Sequence, residues 1–317
     1  MAKNFYCPGF YENAIAYKRL FWFKKHYPDC FVDRANITHI YGCFPNCGWN
    51  GGSSWIQPPP PRAIMYDVFN WYKEQGIIIQ LTFTNPVLKE TDVYDRYANC
   101  ILDIAVEVLG TDYLEVLVSS PILEKYIRDK YPHINITKSI VGATGEEKTR
   151  TTVEDYVKLL DEYPRIVIPR KKVNDIDFIQ NFPDELKDRV ELLCTDACPI
   201  DCPRIFQHYT KLGAEQLWED VAYMDVMCTG FSDDNPFHEA TYRQYKITPP
   251  EVEAYEALGW SEFKLSGRIS SCAAPLRLVT YLIKPEFQED VFINIYFDMY
   301  GDSGLIPEFD FWSMPIP

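Results

Sequence analysis

Short apolar runs recur through the sequence, separated by stretches in which apolar residues return every three to four positions. The runs are Ile37–Phe44, Ile77–Phe83, Tyr113–Ser119, Ile134–Ile140, Arg165–Pro169, Val190–Cys194, Tyr223–Met227 and Glu262–Leu265. Their length and their branched and aromatic content predict strands. Between them Ala63–Gln75, Asp92–Leu109, Pro121–Lys130 and Thr152–Tyr163 carry helical spacing. Ser120-Pro121 offers an N-cap with proline at the first helical position, and Thr151-Thr152-Val153-Glu154 resembles a capping box. Strands alternating with helices imply a parallel sheet, and a count of eight favours a closed TIM-like (β/α)8 barrel over an open doubly wound sheet. No glycine-rich phosphate fingerprint follows the first strand, which also counts against the open sheet.

The last part of the chain leaves this rhythm. After a helix-like Ala273–Lys284 comes Val291–Met299, a β-rich aromatic run, and then a proline-bearing tail to Pro317. The expected organisation is a barrel over residues 1–285, including an N-terminal helix, and a C-terminal aromatic extension over 286–317 packed on the barrel exterior.

Strand alternation puts residues two apart on one face. Gln80, Thr82 and Thr84 share a face opposite Ile79, Leu81 and Phe83; Asn135, Thr137 and Ser139 do the same, as do Lys264, Ser266 and Arg268. Helices cover the outside of a barrel with apolar contacts, so these polar rows are expected inside it, toward the C-terminal mouth where barrel sites lie.

Composition narrows the setting. Hydrophobic residues make up 47% of the 317 positions, enough for a large core. A formal charge of −15 disfavours broad nonspecific binding to nucleic acid, while leaving room for a small-molecule or nucleobase substrate. The first twenty residues lack the apolar core of a secretory signal, and no stretch is long and apolar enough to span a bilayer. A cytoplasmic location without membrane attachment is therefore expected, in which thiols stay reduced.

Ten cysteines then become the main chemical lead. Cys43 and Cys47 follow the first expected strand, Cys194, Cys198 and Cys202 surround the end of the sixth, Cys228 follows the seventh and Cys272 the eighth. In a barrel those strand ends meet at one mouth, where four thiolates could hold a 4Fe-4S cluster or, alternatively, tetrahedral zinc. The spacing is neither that of a zinc ribbon nor the radical-SAM pattern, since position 205 is Ile. Buried thiols with no ligand role are the competing reading. Pro203 is placed to begin a helix that sets Arg204 and His208 one turn apart, and His208 is a candidate acid–base group.

The phrase Glu262-Phe-Lys-Leu-Ser-Gly-Arg268, preceded by Ile247-Thr-Pro-Pro-Glu-Val-Glu-Ala-Tyr-Glu-Ala-Leu-Gly259, resembles the collagenase-like peptidase family (peptidase group U, number thirty-two). Cys194-Thr-Asp-Ala-Cys198-Pro-Ile-Asp-Cys202-Pro-Arg204 and Val118-Ser-Ser-Pro-Ile-Leu123 resemble divergent members, over residues 37 to 285. The usual glutamate–x–phenylalanine–x–histidine–glycine phrase is absent. The resemblance implies a TIM-like barrel and an iron–sulfur-dependent modification enzyme of the oxygen-independent hydroxylation type, acting on a nucleobase or quinone-like substrate. It implies Cys198, Cys202 and Cys228 as cluster ligands, with the fourth among Cys43, Cys47, Cys194 and Cys272. Lys264 and Arg268 match the family's basic signature and would hold an anionic substrate group, assisted by Arg204 or His208. A peptidase is the first alternative, and a non-catalytic binding or structural protein with a metal-stabilised barrel the second.

Overall fold

Eight parallel strands close into a barrel in simple chain order. They are β1 Lys3–Pro8, β2 Ala35–Gly42, β3 Ile78–Phe83, β4 Leu114–Val118, β5 Asn135–Lys138, β6 Arg165–Ile168, β7 Val190–Leu193 and β8 Glu262–Lys264. β8 pairs with β7 on one side and β1 on the other, which completes the ring. The computed structural model describes residues 2–52, 56–141, 150–195, 205–218, 247–267 and 273–300.

The helices are α1 Ala14–His26, α2 Arg62–Glu74, α3 Arg96–Leu109, α4 Pro121–Lys130, α5 Val153–Glu162, α6 Arg170–Val173, α7 Ile176–Asn181, α8 Ile205–Gln216, α9 Pro249–Ala257, α10 Ala273–Leu282 and α11 Gln288–Tyr300. Their starts are set by capping. Asp95 accepts from the Ala98 N–H, Ser120 from the Leu123 N–H, and Thr248 with Glu251 forms a full capping box. The box expected at Thr151–Glu154 forms one residue later, between Thr152 and Asp155.

Outward-facing strand residues, among them Phe5, Ile79, Leu81, Phe83, Val116 and Val118, are buried against the helices in one continuous core. Burying each such side chain stabilises the fold by about 1.5–3 kcal/mol. Phe10 packs edge-on to Phe44 at 5.2 Å, and Phe44 likewise to Phe69 at 5.5 Å, filling the wedge between the ends of β1 and β2 and helix α2.

Three expectations need correction. β1 stands among the barrel strands although its sequence, KNFYCP, begins with two polar residues and ends in proline. The Tyr223–Met227 run lies outside the described residues, and β7 pairs directly with β8, so no further strand separates those two in the ring. Val291–Met299 is helical, not β-rich: Val291 and Ile295, one turn apart, bury against the rest of the fold, and Arg19 of α1 pairs with Asp298. Aromatic and branched residues favoured a strand there, but tertiary packing of a helical stripe outweighs that weak preference. Residues 301–317 lie outside the described set.

Candidate functional site

The inward rows of the barrel are charged. Tyr6, His39, Gln80, Glu115, Arg165, Glu191, Glu262 and Lys264 converge inside it. A register slip between Phe5 and Tyr6 sets Tyr6 beside His39 rather than Thr38, and the two rings stack at 4.0 Å. Lys264 Nζ donates to Glu191 Oε2 at 2.6 Å and to Gln80 Oε1 at 2.7 Å. Gln80 Nε2 in turn donates to Glu191 Oε1 at 2.7 Å and to Glu115 Oε2 at 3.1 Å. Lower in the barrel, Glu262 accepts from Tyr6 Oη at 2.8 Å and Asn4 Nδ2 at 2.7 Å, and pairs with Arg165 at 3.4 Å. The Lys264 ammonium also lies 4.4 Å from the centre of the Tyr41 ring.

Buried charges persist only when matched, and here they are matched as a set. Burial alone would raise the Glu115 carboxyl, but His39, Arg165 and Gln80 outweigh it and hold the group at about 2. His39 Nε2 stands 3.6 Å from Glu115 Oε1, an electrostatic contact longer than a hydrogen bond. Burial works against the Arg165 charge, yet the surrounding Glu115, Glu191 and Glu262 raise its pKa above the usual arginine value. The Tyr6 phenol is pushed up by burial and stays protonated.

Above this network the barrel opens into a cavity of about 150 Å³ at the C-terminal ends of the strands. Tyr41, Thr82, Thr84, Ser139, Lys264 and Ser266 supply its polar lining. Leu117, Val167 and Leu193 face it from β4, β6 and β7, and Tyr209 reaches it from α8. Helix α8 is held there by a satellite cluster of Val141, Tyr209 and Leu212, separate from the main core. Asn85, just past β3, donates from Nδ2 to the carbonyls of Gly48 at 2.8 Å and Gly213 at 3.0 Å, fastening both the β2 loop and α8 to the rim. A Cβ at Gly213 would stand 2.4 Å from Asn85 Oδ1, so this approach requires glycine.

The chain is similar to a solved structure, that of the U32 peptidase Mk0906. Identity is 14%, the TM-score is 0.48, and the match covers 84% of this chain and 93% of that one. No family model and no curated protein matches. The closed barrel rests on the strand pairing of this chain itself.

The residues expected to form the site are placed unevenly. Lys264 lines the cavity, and so do Thr82, Thr84, Ser139 and Ser266 from the polar rows. His208 lies on α8, half-buried, with its pKa lowered by burial, but it is not among the lining residues. Cys43 and Cys47 are fully buried in the main apolar core, and neither lines the cavity. Cys194 is also in that core, its thiol 3.4 Å from the Leu192 carbonyl. Cys198, Cys202, Arg204, Cys228, Arg268 and Cys272 lie outside the described residues. Among the described residues no three His, Cys, Asp or Glu side chains come together as a metal site, and no helix is long and apolar enough to cross a membrane.

Sequence reasoning did not point to Glu191 as the partner of Lys264, nor to Glu115 and Glu262 as partners of Arg165, which opens the Arg165–Pro169 strand. Each sits at an inward position of a short strand, so alternation from a neighbouring apolar residue carried the signal.

Proposed function

We propose that this chain is an enzyme whose substrate binds in the barrel mouth, on the floor that Lys264 forms, and whose redox chemistry comes from a 4Fe-4S cluster. The observation that carries the reading is the cavity itself: a small polar-and-apolar chamber with one charged side chain, Lys264, among its described lining residues. Lys264 is held in a defined place by Glu191 and Gln80, so the floor of the chamber keeps a fixed shape and charge.

The described thiols do not fit a shared cluster at the mouth, because Cys43, Cys47 and Cys194 are packed in the apolar core. The ligand set proposed is therefore Cys198, Cys202, Cys228 and Cys272, in the segments that follow β7 and β8 in the chain. A cluster there would supply one-electron chemistry, tuned by exposure and hydrogen bonds. Zinc on the same thiolates is the alternative cofactor. The peptidase reading is less favoured, since the described lining offers hydroxyls but no histidine or carboxylate to act as their base.

Anaerobic purification followed by iron and sulfide analysis tests the proposal. About four of each per chain are expected, by the composition of the cluster, with loss of both in Cys198→Ser and Cys202→Ser. Protein that holds no iron after anaerobic reconstitution would refute it, and stoichiometric zinc would select the alternative.

A further inference from the structure

The two walls of the mouth cavity differ in chemistry. One wall, from the ends of β3 and β8, presents Thr82, Thr84, Lys264 and Ser266. The other, from β4 to β7, presents Leu117, Val167 and Leu193, with Ser139 set among them just past the end of β5. From this division and the charge beneath it, we infer that the mouth takes an uncharged hydrogen-bonding head joined to a compact apolar body of a few carbon atoms. The inference rests on the mouth being the substrate site, and adds the class of molecule it accepts.

Charge decides the head. Lys264 is already engaged by Glu191 at 2.6 Å, by Gln80 at 2.7 Å and by the face of Tyr41. Below it three carboxylates, Glu115, Glu191 and Glu262, face Lys264, Arg165 and the His39 ring, which stands 3.6 Å from Glu115, so the described interior has no surplus of fixed positive charge to offer an anion. A cation finds no carboxylate among the described lining residues. An amide or alcohol needs neither. It is met by the Thr84 hydroxyl and by Ser139, whose Oγ accepts from the Val141 N–H and retains its own proton to donate.

Size follows from the space between the described walls. A volume of about 150 Å³ is on the order of five water volumes. On one side Gly51 packs directly on the end of β3, where a Cβ would stand 2.2 Å from the Thr84 carbonyl oxygen. The apolar wall offers such a small body hydrocarbon contact without unpaired polar groups, which favours displacing water from that side.

Full-length protein labelled with ¹³C in its Leu and Val methyl groups, titrated with butanamide, butyrate, butylammonium and urea, tests this. Butanamide is expected to saturate shifts of the Leu117, Val167 and Leu193 methyls at least tenfold more tightly than either charged analogue. Urea, a head without a body, is expected not to saturate them. Leu193→Asn should weaken butanamide at least tenfold, and the near-isosteric Thr84→Val should weaken it severalfold without disturbing the remaining spectrum. Tighter binding of butyrate or butylammonium at the same methyls would overturn the uncharged class while keeping the mouth as the site. Saturable shifts confined to other methyls would overturn the mouth itself. Absence of response to all four compounds would overturn the inference, with the iron content deciding the cofactor reading separately.

Discussion

Along every barrel strand the two faces answer to different physics. Outward, Ile79, Leu81 and Phe83 of β3 meet the helices in an apolar layer where volume and shape decide the fit. Inward, on the same strand, Gln80 links Glu115, Glu191 and Lys264, and there charge balance decides. Neighbouring residues thus differ in what they tolerate: outside, the loss of a methyl group; inside, only changes that leave every charge matched. The polar rows therefore set the mouth chemistry and also determine which substitutions the barrel survives.

The sharpest test of that contrast is Glu191→Leu. It leaves the buried Lys264 without its carboxylate and is expected to cost about 3–5 kcal/mol in urea unfolding. Adding Lys264→Met should restore most of the loss, and a single variant as stable as the parent would break the comparison. Acid should produce the next largest effect. The Glu115 pKa is held at about 2, below the usual 4.5, so its contribution is complete above the unfolded value and disappears as pH falls through the folded one. About 3 kcal/mol is at stake for a shift of that size, and Glu115→Gln should flatten the fall in stability between pH 5 and pH 2. Outward, Ile79→Val is expected to cost only about 1 kcal/mol, read from the shift in urea midpoint. Smallest of all, Thr84→Val in the mouth should shift the urea midpoint less than Ile79→Val does, while still weakening butanamide. A large loss of stability there would place Thr84 in the network instead of the cavity.

Much of the barrel was legible because strand and helix periods differ and the caps punctuate them. Pro121–Lys130 matches its expected range, and the β3, β4, β6 and β7 runs fall within a residue or so of theirs. β1 was hidden because it opens on two polar residues, Lys3 and Asn4, although both are ordered by partners distant in sequence, Glu253 and Glu262. The α11 helix was misread because its Phe, Ile and Tyr content suits a strand equally well, and only its packing against α1 decides. At the site, the polar rows pointed to the lining hydroxyls and Lys264. The groups that fix Lys264, Gln80 of β3 and Glu191 of β7, lie 184 and 73 residues away in the chain and meet it only once the ring closes. No local spacing encodes that meeting.

The matched interior also constrains how this chain can diverge. A position whose charge is balanced by residues on three or four other strands cannot drift alone, because each single step leaves a buried ion unanswered. In an alignment of relatives, positions 80, 115, 165, 191 and 264 should change together or not at all, whereas the outward positions between them should wander one by one. Variation in ligand choice would then accumulate in the rim and the loops above it, with the ionic floor inherited as a single unit.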